Sequence, residues 1–164
     1  VLKEFTPPGH RCETVRTLDG VLWLNDSKAT NLHALEAALK SQNSPVILIA
    51  GGKDKGLDYL PLRPMLKEKV RACVVFGQIA DQLQHAFSPA VPTEKAADVE
   101  ACVAKARSLA RPGDTVLFSP GTSSFDMFTG YVQRGQAFRD AVNALPSFPD
   151  NSPENDHHEN DQDT

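Results

Sequence analysis

The sequence has 164 residues, of which 40% are hydrophobic and 23% are charged, and its net charge is −4. This composition is typical of a globular domain and excludes a wholly disordered, fibrous or membrane-spanning chain. All 17 lysines and arginines lie in residues 1–145, whose net charge is +2, whereas residues 146–164 hold six acidic residues and no lysine or arginine. We therefore predict one folded domain over residues 1–145, with no electrostatic reason to bind nucleic acid or membrane, and a disordered acidic tail over residues 146–164.

Cysteine number and the length of apolar runs indicate the compartment. The three cysteines are odd in number and form no C-x-x-C pair, so we expect neither a disulfide framework nor a cysteine-based metal site, and we predict a reducing, cytoplasmic location. The longest aliphatic run, residues 46–50, is much shorter than the ~20 residues that span a bilayer. Residues 1–10 have no signal-peptide pattern. The chain begins with valine and not with methionine, so we expect a piece of a longer protein.

The first predicted element is a β-hairpin. Residues 13–17 and 21–24 are rich in strand-forming residues, and Asp19-Gly20 between them is typical of a tight primed turn. After residue 27 the period changes to that of a helix, which we predict over residues 30–41.

Strands and helices then alternate along the chain. Short apolar segments predict three strands, at residues 45–49, 71–76 and 115–118. Helical spacing predicts helices at residues 58–68, 79–87 and 95–110, with residues 89–93 as a Pro-flanked connection. A last helix is predicted to begin near Ser124 or Tyr131 and to end near Leu145. Because such alternation forms parallel sheets covered on both faces, we predict an α/β, three-layer, Rossmann-like fold with a mostly parallel sheet and an N-terminal β-hairpin.

The predicted strand ends carry residues suited to anions. Ligands of parallel α/β sheets bind beyond the carboxyl ends of the strands, where this chain has residues 51–56, 77–78 and 119–124. Residues 25–31 form a further strand-to-helix junction with a lysine among capping residues. Free amides, hydroxyls and lysines there could bind phosphate or carboxylate. Each loop alone is also compatible with ordinary helix capping and solvent-exposed lysines, so both interpretations stay open.

Five segments occur in the order and spacing of one known domain: GHRCE (9–13), WLNDSKATN (23–31), IAGGKDKGLDY (49–59), RPGDTVLFSPGTSSFDMF (111–128) and YVQRGQAF (131–138). Over about residues 5–145 they resemble the carboxyl-terminal domain of the Mur ligases, most closely the members that add D-glutamate. The resemblance implies ATP-dependent amide formation in cytoplasmic peptidoglycan precursor synthesis. ATP phosphorylates the carboxylate of UDP-N-acetylmuramoyl-L-alanine, and the amine of D-glutamate attacks the acyl phosphate.

The resemblance also implies roles for particular residues. The nucleotide is contacted by Arg11, Asp26 and Asn31, and the catalytic residue Lys28 serves the phosphate or acyl phosphate. The substrate D-glutamate is held at one carboxylate by Thr30 and Lys55 and at the other by Ser124, Phe125 and Tyr131. A dicarboxylic amine needs two anion sites on one domain, which the loops could supply.

In this family the Gly-rich phosphate loop, the Mg²⁺ ligands and the nucleotide-sugar site lie in two upstream domains. We therefore expect the chain to be monomeric and inactive alone, without a metal site, and ATP and Mg²⁺ to be bound mainly by the absent central domain. Two other hypotheses are a stand-alone α/β module that binds an acidic metabolite, and a folylpolyglutamate synthase-type domain, which the DSKATN segment disfavours.

Overall fold

One mixed sheet with helices on both faces forms the domain. A computed structural model describes residues 9–149. The strands are β1 (Glu13–Leu18), β2 (Val21–Asn25), β3 (Val46–Gly51), β4 (Val70–Phe76), β5 (Thr93–Lys95) and β6 (Thr115–Phe118). The helices are α1 (Leu32–Lys40), α2 (Arg63–Lys69), α3 (Ala80–Phe87), α4 (Val99–Leu109) and α5 (Tyr131–Asn143), with a 3₁₀ turn at Leu60–Leu62. The strand order is β1-β2-β6-β3-β4-β5, and β1 alone of these runs antiparallel to its neighbour.

Strands β1 and β2 form the predicted hairpin. Asp19 and Gly20 have φ values of 51° and 78°. Positive φ at both central residues is the type I′ geometry, whose twist matches that of the strands it joins. Strand β2 then pairs in parallel with β6, so the hairpin extends the main sheet.

Two apolar clusters fill the space on either side of the sheet. One contains Leu35 of α1, Leu66 of α2 and Leu83 of α3. The other contains Val103 of α4 and Phe138 of α5. Successive strand residues point to opposite faces, which is why the continuously apolar β3 contributes to both clusters. The three-layer α/β prediction is confirmed.

The sheet has more parallel strands than predicted. Strand β5 falls partly in the segment predicted as a connection, because it is three residues long, half-exposed or exposed, and carries no apolar signal. Helix α4 begins four residues later than predicted, where the Asp98 side chain accepts a hydrogen bond from the Ala101 amide at 2.8 Å. Helix α5 begins at Tyr131, the second of the two predicted starts.

The chain that follows α5 lies against the hairpin turn. The Phe148 amide donates to Asp19 Oδ2 at 3.1 Å, and the Arg107 guanidinium carbon lies 4.2 Å from the centre of the Phe148 ring. The rest of the predicted acidic tail, from residue 150, lies outside the described residues. None of the described helices combines the length and apolar character needed to cross a bilayer.

Candidate functional site

Four loops meet at the carboxyl edge of the parallel strands. They are residues 26–31 after β2, 52–56 after β3, 77–78 after β4 and 119–126 after β6. Because parallel strands end on the same side of a sheet, loops distant in sequence become neighbours there. All the segments chosen from the sequence as strand-end loops therefore lie at one edge.

The residues predicted to contact the nucleotide line one cleft together with the predicted catalytic residue Lys28. Arg11, Asp26, Lys28 and Asn31 all border a cleft of about 620 Å³ between the loops and α1. Asn31 also caps α1, because its Oδ1 accepts a hydrogen bond from the Ala34 amide at 2.9 Å. The cleft thus combines two cationic side chains with the start of a helix, an arrangement that attracts anions.

Asp26 is the buried anchor of this cleft. Its Oδ2 accepts a hydrogen bond from the Ser119 hydroxyl at 2.7 Å, and its Oδ1 accepts one from the Cys12 amide at 3.1 Å. Burial raises the pKa of the Asp26 carboxyl above its ordinary value, and the Ser119 hydrogen bond opposes that rise. Asp26 therefore ties together the segment that carries Arg11 and the loop that follows β6.

We expect Ser119→Ala to raise the pKa of Asp26 further, because a donor to the carboxylate is lost while burial remains. A carboxyl group whose pKa is raised by folding stabilises the folded state when the pH is below its pKa in the unfolded chain. This stabilisation is lost as the pH rises through its pKa in the folded chain. Ser119→Ala should thus destabilise the domain more at neutral pH than in acid. Carboxyl ¹³C titration of Asp26 measures the shift, with the exposed Ser108→Ala as control. A titration midpoint of Asp26 that is unchanged or lower in Ser119→Ala would contradict this prediction.

The predicted D-glutamate residues come from three loops that contact one another. The Lys55 ammonium donates to the Thr30 carbonyl at 3.0 Å. The Lys53 amide donates to the Ser123 carbonyl at 2.9 Å, and the Thr122 hydroxyl donates to the Lys53 carbonyl at 2.6 Å. These contacts bring the Lys55 loop against Thr30 on one side and against the segment that contains Ser124 on the other.

The two aromatic residues predicted to bind D-glutamate have different environments. Phe125 is 65% exposed, next to the buried Ser124. Tyr131 is half-buried at the start of α5, and its carbonyl accepts a hydrogen bond from the Ser27 hydroxyl at 2.7 Å. Phe125 therefore presents its ring to solvent at the rim of the site, while Tyr131 is joined to the loop that carries Lys28.

Arg134 is a central residue of this edge that the sequence analysis did not identify. Its side chain is 0% exposed, and its guanidinium donates to the Ser27 carbonyl at 2.7 Å, the Ser27 hydroxyl at 3.1 Å and the Thr122 carbonyl at 2.9 Å. Burial lowers its pKa to about 10, so the group remains charged at neutral pH. The available signal was its position four residues before the core residue Phe138, on the buried face of α5.

Gln78 is a second bridge between loops. Its backbone amide donates a hydrogen bond to Asp126 Oδ2 at 3.0 Å, and its side-chain Oε1 accepts one from the Asp54 backbone amide at 2.9 Å. The loop after β4 is thereby joined to the loops after β3 and β6. The sequence analysis placed this glutamine in a strand-end loop, but no sequence pattern indicated that it joins the neighbouring loops.

These features define an α/β domain that gathers the cationic side chains of Arg11, Lys28 and Lys55 at the carboxyl edge of its sheet. Residues 10–122 match the family described as "Mur ligase, glutamate ligase domain", and the chain belongs to that family. It is 46% identical over 146 residues to a UDP-N-acetylmuramoylalanine–D-glutamate ligase of Chlorobium phaeobacteroides, an alignment that covers 89% of this chain and 32% of that protein. A Syntrophotalea carbinolica protein of the same name is 47% identical over 141 residues, or 86% of this chain and 31% of that protein.

A solved structure has the same fold at low sequence identity. The MurF ligase of Thermotoga maritima, in complex with ADP, matches with a TM-score of 0.54 and 17% identity, covering 85% of this chain and 33% of that one. The chain spans about a third of the length of these relatives.

Proposed function

We propose that this chain is the D-glutamate-binding domain of a cytoplasmic, ATP-dependent ligase that forms ADP and joins D-glutamate to UDP-N-acetylmuramoyl-L-alanine. Relatives with 46% and 47% identity that are named as D-glutamate ligases support this substrate over those of other family branches, including a folylpolyglutamate synthase-type domain. The observation that carries the proposal is the convergence of Thr30, Lys55 and the segment around Ser124 at one sheet edge. A binding module for another acidic metabolite remains the alternative.

In this proposal the nucleotide occupies the cleft beside α1. Arg11 pairs with phosphate oxygens, and Asp26 and Asn31 contact the ribose side, because acidic and amide oxygens accept hydrogen bonds from ribose hydroxyls. The shared cleft supports these roles. The Thermotoga maritima structure, of which this chain matches 33%, holds ADP, which supports an adenine nucleotide as a ligand of the whole enzyme.

The two carboxylates of D-glutamate are assigned to two sides of the same edge. Thr30 and Lys55 hold one, and Ser124 with the backbone near Phe125 and Tyr131 holds the other. The 3.0 Å contact between Lys55 and the Thr30 carbonyl supports the first pair, since a lysine held there can give its other protons to a carboxylate. The contacts that join the loops after β3 and β6 support the second.

The proposed reaction has two steps. The γ-phosphoryl group of ATP moves to an oxygen of the acceptor carboxylate, and ADP leaves. The unprotonated D-glutamate amine then attacks the acyl carbon, phosphate leaves as the amide bond forms, and the proton of the amine passes to the phosphate or to solvent. Both transition states spread negative charge over phosphoryl or acyl oxygens, so a positioned cation stabilises them. We assign this role to Lys28, which lies in the cleft one residue after the buried Ser27.

We place the Mg²⁺ site and most ATP contacts outside this chain. Among residues 9–149 there is no cluster of three or more His, Cys, Asp or Glu side chains that could hold a metal ion. Because the chain spans about a third of the length of its relatives, we propose that it is inactive alone and binds its ligands weakly until other domains close over them, and that it is a monomer.

Lys55→Ala tests the D-glutamate site. We expect the affinity of the chain for D-glutamate to fall about tenfold or more, because a hydrogen bond to a charged group contributes roughly 1.5–3 kcal/mol. NMR titration of the labelled chain with D-glutamate measures the affinity. Lys53→Ala removes an exposed lysine from the same loop and is expected to leave the affinity unchanged. Equal effects of the two substitutions, or equal binding of L-glutamate, would contradict the proposal.

A further inference from the structure

His10 is a buried histidine beside the proposed nucleotide cleft. The residue lies just before β1 in the chain, and it is only 8% exposed. Its φ is 66°, and that of Cys12 is 41°, so the two neighbours of Arg11 both have the left-handed backbone that residues with a Cβ seldom adopt. A strained backbone on both sides of a proposed ligand-binding residue indicates that surrounding contacts fix this segment.

The hydrogen bonds of Asn25 determine the protonation form of the His10 ring. Asn25 is fully buried, and its Oδ1 accepts from the Ser27 amide at 3.1 Å. The other end of that side chain, Nδ2, is therefore the donor that lies 2.9 Å from His10 Nδ1. An amide NH₂ can bond only to an unprotonated ring nitrogen, so His10 is neutral, with its proton on Nε2.

Helix α5 supplies a notch for the ring. A Cβ atom at Gly135 would overlap His10 Nδ1 and lie 2.9 Å from His10 Cε1. The Tyr131 ring meets His10 edge-on, with 6.3 Å between centroids. The absence of a side chain at position 135 thus lets the imidazole sit directly against the backbone of α5.

The backbone of His10 connects this buried ring to both cations of the cleft. Its carbonyl accepts a hydrogen bond from the Lys28 amide at 3.0 Å, and its own peptide continues into Arg11. We propose that neutral His10 is a positioning residue that holds Arg11 and Lys28 at the cleft, an inference that rests on the proposed function of those two residues. A change at the imidazole would then reach both cations without touching a ligand.

The groups around His10 make this positioning sensitive to pH. Glu13 Oε2 accepts a hydrogen bond from the His10 backbone amide at 3.2 Å, and the Glu13 carboxylate forms an ion pair with Arg139 of α5. Glu13 and Arg139 are the charged groups that act on the His10 ring. Asn25 and Tyr131 are its uncharged neighbours. Burial, and then the Arg139 charge, lower the pKa of His10 below 6.5, whereas Glu13 opposes the shift. The neutral form and its hydrogen bond therefore predominate at neutral pH, and they are lost as pH falls through the folded pKa, which lies below 6.5.

The first test observes the ring in the chain without ligand. Imidazole ¹⁵N spectra should show His10 with its proton on Nε2, and the Lys28 amide signal should move with the same midpoint, below pH 6.5, as His10 becomes protonated. A proton on Nδ1, or a Lys28 amide that is insensitive to that titration, would overturn the proposal.

Two substitutions separate positioning from folding. His10→Asn keeps a hydrogen-bond acceptor near the position of Nδ1, and asparagine tolerates a positive φ, so the Lys28 amide should exchange as slowly as in the wild type. Because asparagine does not titrate, the Lys28 amide signal should no longer move with pH. His10→Leu has no acceptor, and the Lys28 amide should exchange about tenfold faster, since the Asn25 amide is left unsatisfied. The exposed His85→Asn is the matched control. If His10→Leu does not fold, His10→Asn and the wild-type titration still decide the question.

An ADP titration distinguishes failure of this proposal from failure of the proposed function. If ADP moves the Arg11 and Lys28 signals, and if His10→Asn binds ADP while His10→Leu does not, both proposals are supported. If even millimolar ADP, enough to detect weak binding, leaves the Arg11 and Lys28 signals unmoved while the ligand-free results hold, the proposed nucleotide contacts of this chain are wrong and the structural role of His10 stands. Normal ADP binding and a normal Lys28 signal in His10→Leu would reject the role of His10.

Discussion

Arg134→Met is expected to reduce the free energy of unfolding by about 3 kcal/mol or more, since each buried polar group left without a partner costs roughly 1–3 kcal/mol. Methionine fills a similar apolar volume, but it leaves the carbonyls of Ser27 and Thr122 without their donor. The loops that carry Lys28 and Ser124 would then separate. Urea denaturation measures the loss, and ligand titration of the remaining folded chain should show weaker binding of both ADP and D-glutamate.

Two further substitutions define what Arg134 contributes. Arg134→Lys keeps the charge but has one nitrogen and cannot reproduce the planar arrangement of donors, so we expect an intermediate loss. Arg111→Met removes an exposed arginine and should change stability by less than about 0.5 kcal/mol. If Arg134→Met lowers the free energy of unfolding no more than Arg111→Met does, the buried hydrogen bonds of Arg134 do not hold the loops together.

Gly52→Ala is the second substitution with a large expected effect. A Cβ there would overlap the Ser123 carbonyl oxygen and lie 2.9 Å from Thr122 Cγ2, and the φ of 143° is unfavourable for alanine. Overpacking costs roughly 1–3 kcal/mol and unfavourable positive φ roughly 1–2 kcal/mol, so we expect about 3 kcal/mol in total. The loops after β3 and β6 would be forced apart, which should also weaken D-glutamate binding.

Gly56→Ala is the matched control in the same loop. Gly56 also has a positive φ, of 68°, but a Cβ there would meet nothing within 4 Å. Its expected cost is only the backbone cost, about 1 kcal/mol. Thermal or urea denaturation of the two variants compares them directly, and similar losses would mean that the close approach of Gly52 to Ser123 does not decide the position of the loop.

The regular elements of this fold could be predicted because their signals are local. The type I′ turn follows from the Asp19-Gly20 pair, and the continuously apolar β3 predicts a strand buried on both faces. Strand β5 could not be predicted, because three mostly exposed residues at a sheet edge are held by pairing with β4 and not by any preference of their own.

The candidate site was predictable in its residue types and less so in its connections. Arg11, Asp26, Lys28 and Asn31 were grouped from the sequence by family resemblance, and the structure places them in one cleft. Arg134 and His10 were not assigned roles, since a charged residue on a helix and a histidine before a strand are usually exposed. Only their buried hydrogen bonds distinguish them from surface residues.

The charge split seen in the sequence has a simple structural counterpart within the described residues. The described part of the slightly basic region, residues 9–145, folds as one α/β domain that gathers Arg11, Lys28 and Lys55 at one edge, and all six acidic residues of the tail lie outside the described residues. Composition, period and motif order by themselves determined the fold class, the family and the strand-end loops to which anion binding is assigned in the proposed function, because these signals are carried by short segments of the chain.

Only the tertiary structure decided how those loops are joined. The contacts of Asp26 with Ser119, of Arg134 with Ser27 and of His10 with Asn25 span 93, 107 and 15 positions in the sequence. The physical reason is that burial makes an unpaired polar group costly, and the partner that meets this cost is set by which loops the parallel sheet brings to its carboxyl edge.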